Sequence, residues 1–324
     1  MSVDQLWART DPLGEALHLL RMSGTCYFRS ELSQPWGLGI PAMPDCLWFH
    51  VVTSGRALLE VDGDASRWLH PGELALVPHG TGHRLRDPAD APAPSVLGIP
   101  HEFVTDRYAI IRHGGGGAGT TLICGAVRFS HPAARSLLPL LPPTIHLVDP
   151  GAEWLPGTLR MMAAEAAQLR PGGETVITRL SDVLVIQAIR SWMDTDPAAH
   201  TGWLGALRDR QIGRALALVH RQPAQDWTVG TLAAACAMSR SAFAARFTEL
   251  VGEPAMQYVT RWRMQVALTE LTEGRATLGE LAGRLGYRSE AAFSRAFKRV
   301  IGIAPGAART RRPDPKGLGP AGAR

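Results

Sequence analysis

Between Pro44 and Arg86 the chain alternates short apolar runs with turn residues. LWFHVVT (47–53), ALLEV (57–61), SRWLH (66–70) and ELALVP (73–78) are separated by SG, DGD and PG. Short runs bounded by Gly, Pro and Asp predict strands, and their close spacing predicts a barrel. Beyond residue 150 the apolar period lengthens. AEWLPGTLRMMAAEAAQL (152–169) and ETVITRLSDVLVIQAIRSWM (174–193) predict two helices joined by RPGG. The second is apolar around more than half its circumference, at Val176, Ile177, Leu180, Val183, Leu184, Ile186, Ile189 and Trp192. Packing on one partner needs a stripe of only about 100° or a little more. A second buried face is therefore expected, against the barrel or against another subunit. DTDPAAHTGWLG (194–205) reads as a linker.

The C-terminal third repeats itself. MSRSAFAARFTELVG (238–252) and RSEAAFSRAFKRVIG (288–302) align with a shift of 50 residues, which pairs Ser239, Phe243, Phe247 and Gly252 with Ser289, Phe293, Phe297 and Gly302. Each block predicts a helix. The serine hydroxyl accepts from the orphan amides of the first turn, the two Phe share one face, and the glycine supplies the stop. Ahead of each block stands a short apolar helix, TVGTLAAACAM (228–238) with Thr228 as its cap and TLGELAGRLGYR (277–288) with Gly286 in the turn. Helix, short turn, helix is the helix-turn-helix layout. PAMQYVTRWRMQVALTELTEG (254–274) predicts one long connecting helix. It would hold two reading helices about one DNA turn apart.

Charge divides the chain in the same place. Residues 1–206 carry 15 Arg against 20 Asp and Glu, and residues 207–324 carry 19 Lys and Arg against 9 Asp and Glu. The balances of −5 and +10 sum to the +5 of all 324 residues. Only the C-terminal part is expected to meet a polyanion. No basic-then-apolar N-terminal stretch predicts a signal peptide, and no apolar run is long enough to span a membrane. Four cysteines (Cys26, Cys46, Cys124, Cys236) are too few for a disulfide scaffold. A cytoplasmic protein with reduced thiols is expected.

Residues 207–310 resemble the AraC/XylS DNA-binding domain. The resemblance rests on the paired units, on Arg263, Ala267 and Leu271 in the connecting helix, and on GIAPGAAR at 302–309, where Gly302, Pro305 and Arg309 match and Ala308 replaces the usual aromatic. It implies a double-stranded DNA partner. The Phe positions face the core, so the opposite faces are the candidate DNA contacts: Arg240, Ser241, Ala244 and Ala245 in the first unit, and Glu290, Ala291, Ser294, Arg295 and Lys298 in the second. Arg295 falls where the family places a base-contacting arginine, suited to bidentate pairing with guanine. Its counterpart is Ala245, and Arg246 stands one place along, rotated by ~100°. Either Arg246 touches phosphate, or Ala244 and Ala245 meet a thymine methyl. Arg240, Arg288 and Arg299 are candidate phosphate contacts.

GELALVPHGTGH (72–83) fits a cupin motif, G-x5-P-x-G-x2-H, at Gly72, Pro78, Gly80 and His83. The companion motif, aligned on Gly55, puts Trp48 where its glutamate belongs, and IPAMPDC (40–46) contains no histidine. A 2-His-1-carboxylate iron site therefore cannot form from this pattern. That weighs against the alternative of a cupin-fold enzyme carrying an accessory nucleic-acid domain. In a cupin, His50 would lie on a strand beside the one bearing His83. Residues 112–143 resemble a subgroup of AraC-like regulators in which His50, His83, Cys124 and the earlier Cys26 match a recurring pattern. Three readings stay open: a tetrahedral Zn²⁺ site, a thiol redox pair, or single packing residues. Cys46 and Cys236 are expected to pack. HGGGGAG (113–119) lacks the GK[ST] of a phosphate loop and, like 87–97, reads as a surface loop.

The expected fold is α+β: a cupin-like β-barrel sensor (1–148), a helical pair (149–194) through which the resemblance implies homodimerisation, a linker (195–206), an all-α domain of two helix-turn-helix units (207–310) and a tail (311–324). The expected function is a sequence-specific transcription regulator answering a small-molecule, metal or redox signal.

Overall fold

The computed structural model describes residues 22–44, 46–105, 107–129, 138–148, 154–168, 170–200, 202–272, 274 and 276–310. The tail expected at 311–324 lies outside them. The chain divides into two units, one made of Met22–Phe129 with Leu138–Trp192 and one beginning at Met193.

The first unit holds eleven described strands: β1 (Met22–Ser33), β2 (Trp36–Ile40), β3 (Cys46–Ser54), β4 (Ala57–Val61), β5 (Arg67–Leu69), β6 (Leu74–Val77), β7 (His83–Asp87), β8 (His101–Thr105), β9 (Tyr108–Gly114), β10 (Gly119–Phe129) and β11 (Ile145–Leu147). The four apolar runs of the sequence are β3 to β6. The strands form a seven-stranded sheet, β11-β6-β3-β10-β1-β9-β8, and a four-stranded sheet, β2-β7-β4-β5. They pair antiparallel except β1 with β9. The expected barrel is thus two sheets sharing one core rather than a single hydrogen-bonded ring. Trp48 and Val52 of β3, Leu122 and Ala126 of β10, Leu59 of β4, Leu85 of β7 and Trp36 of β2 meet in that core. Leu47, Phe49 and Val51 on the other face of β3 are also fully buried. Burial on both faces explains why this strand reads as an unbroken apolar run.

Two segments expected as surface loops are fastened down. Gly39 donates its N–H to Pro94 O at 2.7 Å, and a Cβ on Gly37 would lie 2.3 Å from Pro92 O. Residues 92–95 therefore lie against β2, and the glycines permit the approach. The glycine run turns β9 into β10, with Gly115 and Gly117 donating to Ser33 O and Gln34 O. Backbone pairing, invisible to composition, holds both.

Helices α1 (Trp154–Gln168) and α2 (Gly173–Thr195) follow the strands. Ile177, Leu184, Val185, Ala188 and Ile189 bury one face of α2, whereas Val176 and Val183 remain exposed, as does Met161 on α1.

The second unit contains α3 (Gly202–Arg208), α4 (Arg210–Arg221), α5 (Val229–Ala235), α6 (Arg240–Val251), α7 (Ala255–Thr272), α8 (Leu278–Arg284), α9 (Glu290–Ile301) and α10 (Pro305–Thr310). The expected linker is corrected here, because α3 occupies 202–208 and buries Trp203, Leu204, Ala206 and Leu207. Apolar surface of that extent drives the segment into the helical core.

Candidate nucleic-acid interface and a buried histidine–cysteine chain

The two helix-turn-helix units are built by the same local devices. Thr228 and Thr277 cap α5 and α8 with reciprocal bonds to Thr231 and Glu280. Both helices end on a left-handed residue, Ala237 (φ 54°) and Gly286 (φ 79°). Beyond it Met238 and Tyr287 donate back to Ala233 O and Ala282 O, the Schellman closure. Ser239 and Ser289 then cap α6 and α9 by accepting from Ala242 and Ala292. Thr228 and Thr277 lie 49 residues apart and the serines 50, so the second turn is one residue longer.

Phe243, Phe247, Phe293 and Phe297 are fully buried. That fixes the opposite faces outward. Arg240, Ser241, Ala245, Arg246, Arg288, Glu290, Ala291, Arg295, Lys298 and Arg299 are exposed, and Ala244 and Ser294 are half-buried. Arg246 is engaged within its own unit, with Nη2 3.2 Å from Asp209 Oδ2 and Nη1 3.0 Å from Glu249 Oε2. Asp209 also caps α4, accepting from Gln211 and Ile212 N–H. Burial pushes its carboxyl up, but those amides and Arg246 outweigh it and hold the carboxyl below its ordinary range. Arg263 is a brace, donating to Pro223 O and Gln225 O at 2.7 Å each. Ala308 is buried in the core of the second helix-turn-helix. Asp209 was missed from the sequence, although an Asp before an amphipathic run is a readable cap signal.

In the sheet unit, the pleat aims His50 of β3 inward beside Trp48. Cys124 of β10 pairs with His50 in register. His83 opens β7 in the facing sheet. The two histidines therefore meet across the core, rather than on neighbouring strands as expected. The turn before His83 needs Gly80 at φ 62°, where a Cβ would lie 2.0 Å from Met43 O. His50 Nδ1 is 3.0 Å from Cys124 Sγ, His50 Nε2 is 2.7 Å from His83 Nε2, and His83 Nδ1 is 2.8 Å from Thr81 O. A carbonyl only accepts, so His83 Nδ1 is the donor and its Nε2 accepts from His50 Nε2–H. His50 Nδ1 then accepts the Cys124 S–H. The hydrogen bonds run one way from thiol to carbonyl, with every group neutral.

Electrostatics agree with neutrality. Burial, and secondarily the His83 charge, hold His50 well below its ordinary value. Burial brings His83 down to about 4, against the raising effect of the Thr81 carbonyl. Burial pushes the Cys124 thiol up, the opposite of a reactive thiolate.

Cys26 on β1 is half-buried against the same core. It pairs with Ala126, while Cys124 pairs with Phe28. That diagonal separates Cα atoms by roughly 7–8 Å, beyond usual disulfide range, and all four cysteines are free. Cys124 and His83 lie at opposite ring nitrogens of His50, so in this arrangement one ion could not take all three as ligands. Among the described residues, no group of three or more His, Cys, Asp and Glu side chains is placed to hold a metal ion. Cys46 and Cys236 are buried.

A sheet-rich unit with a polar chain in its core, joined to paired helix-turn-helix units, defines a DNA-reading protein with an attached β domain. The cupin family model matches residues 11–194, and a helix-turn-helix domain model matches 232–311. An AraC-like transcription regulator of Streptomyces lividans is 36% identical over 91% of this chain and 97% of its own. The HTH-type transcriptional regulator AlkR of Acinetobacter baylyi is 29% identical over 91% and 97%. The RCS-specific HTH-type transcriptional activator RclR of Escherichia coli is 26% identical over 93% and 98%. A crystal structure of the AdpA DNA-binding domain with a target DNA aligns at 31% identity over 32% of this chain and 92% of that one, with TM-score 0.30. The chain belongs to the AraC-like transcription regulators with an N-terminal cupin domain, and is a DNA-binding transcription regulator. No described helix is long and apolar enough to cross a membrane.

Proposed function

We propose that the sheet unit is the regulatory half of this regulator, and that its signal acts on the Cys124–His50–His83 chain. One observation carries this reading. Among the described residues, three polar side chains form a continuous hydrogen-bonded path through the core, and none of their hydrogen bonds goes to a carboxylate. Protonating either ring or deprotonating the thiol removes a donor or an acceptor from a buried network, which costs far more than the same change in water. A local chemical event is thereby coupled to sheet packing.

In this reading the protein is not an enzyme and works in the cytoplasm with reduced thiols. It contacts DNA through the exposed faces of α6 and α9. It works as a homodimer through the α1–α2 pair, where Val176, Val183 and Met161 leave apolar surface uncovered.

The test is output from promoters recovered by genome-wide mapping of the bound DNA. His50→Gln and Cys124→Ala are expected to change that output severalfold, while salt-dependent operator binding stays within about twofold in mobility shifts. Unchanged output in both variants would overturn the sensing role. Stoichiometric iron with oxygen consumption would overturn the non-enzymatic reading.

A further inference from the structure

We propose that the two reading helices divide the operator unequally: α9 takes guanine through Arg295, and α6 reads thymine methyl groups through Ala244 and Ala245. This rests on the reading that both helices enter the DNA.

The repeat supplies the comparison. At a shift of 50, Ala245 occupies the place of Arg295, and Ala244 that of Ser294. Arg246 does not make up the difference. Its counterpart is Ala296, which is buried in the second unit, so this position points along the flank of the helix into its own fold. There Arg246 is held by Asp209 and Glu249 at 3.2 and 3.0 Å. Asp209 is itself fixed by two amides of α4. Further along, Thr248 and Glu249 stand where α9 has Lys298 and Arg299. Among the described residues, neither those two cations nor Arg295 has a carboxylate within ion-pair distance.

The chemistry of the two faces follows. A free guanidinium on α9 matches the paired acceptors O6 and N7 of guanine, whereas a small methyl on α6 matches the C5-methyl of thymine and no other base edge. Arg240 at the start of α6, whose side chain lies across Gly230, is left to the backbone phosphate.

Bound sequences would be selected from a random duplex library with the full chain. Arg295→Ala is expected to flatten a guanine preference in one segment only. Ala245→Arg is expected to create a guanine preference in the other segment. Arg246→Ala is expected to leave the selected sequence unchanged. On the selected operator, deoxyuridine for thymidine in the segment altered by Ala245→Arg is expected to weaken binding about fourfold per lost methyl. 7-Deazaguanine at the position altered by Arg295→Ala is expected to weaken it roughly 10- to 100-fold. All three variants alter exposed positions, and circular dichroism checks that the helices persist. A guanine preference that survives Arg295→Ala, or binding indifferent to deoxyuridine throughout, would overturn the division of labour while leaving the DNA-binding reading intact. Failure to bind any duplex at low salt would overturn both.

Discussion

The two units bury histidine in opposite settings. In the sheet unit, His50 and His83 are bonded to each other and to a thiol, so each ring both donates and accepts. In the helical unit, His220 stacks on Trp262 at 3.9 Å and its Nε2 is hydrogen-bonded to the Tyr258 hydroxyl at 2.6 Å. Tyr258 in turn accepts from Trp203 Nε1–H at 3.1 Å. This second cluster ties α3, α4 and α7 together through three different side chains. The first joins groups that all change protonation, and the second joins a histidine to two aromatic anchors. A buried polar group thus serves as a brace when its partners are fixed donors and acceptors. In the proposed function the first cluster acts as a switch because its partners can titrate with it.

The largest effect expected comes from packing. Phe297→Ala should cost roughly 3–5 kcal/mol in guanidinium unfolding followed by far-ultraviolet circular dichroism. A loss under about 1 kcal/mol would mean that polar braces rather than the Phe pairs hold the helical unit.

Acid should come next, and should mark the sheet unit. Unfolded His83 takes up its proton near 6.5 and the folded residue near about 4. Between those values the unfolded chain binds more protons, so stability rises with pH. Full stability is expected above about 6.5, with a loss on the order of 3 kcal/mol from His83 as pH falls to about 4. His50 adds in the same direction. Stability measured against pH should lose that part of its slope in His83→Gln; an unchanged slope would break the contrast.

Tyr258→Phe strands two buried partners at once. About 2 kcal/mol should be lost, and a tryptophan fluorescence change should report the freed Trp203. A neutral outcome would demote the cluster from brace to bystander.

The smallest effect has the opposite sign. Ala237 holds φ 54° where the second turn uses Gly286. Ala237→Gly should relieve a left-handed strain of about 1 kcal/mol and raise the midpoint of thermal unfolding. Lowering it would show that Ala237 makes contacts worth more than its strain.

Legibility differed between the units for physical reasons. The helix-turn-helix pair was readable because caps, Phe spacing and glycine stops are local signals that act within about one helical turn. Runs β3 to β6 were readable because they are apolar between Gly, Pro and Asp. Strands β1, β8, β9 and β10 carried no such mark. Their polar residues form ion pairs along β1, as Arg29 with Glu31, and across to β9, as Glu31 with Arg112. Helix α3 overlaps the segment expected as a linker, and α4 lies inside the expected DNA-binding domain without having been marked as an element, although Asp209 signals its start.

His50, His83 and Cys124 were each legible as residues, from a motif and from a resemblance. Their meeting was not. His50 and Cys124 are partners because β3 and β10 pair in one register, and His83 joins because a second sheet folds across the first. Contacts at separations of 33 and 74 residues depend on which strands find each other, and a one-residue slip would turn each side chain to the opposite face. The same holds for Arg246, exposed and basic in sequence, but tied to an aspartate 37 residues earlier. Local periodicity and capping chemistry determined the helices and the DNA-reading faces, because their bonds close within a few residues. Strand register and sheet packing decided which buried polar groups hydrogen-bond to one another, and helix packing decided that Arg246 meets Asp209.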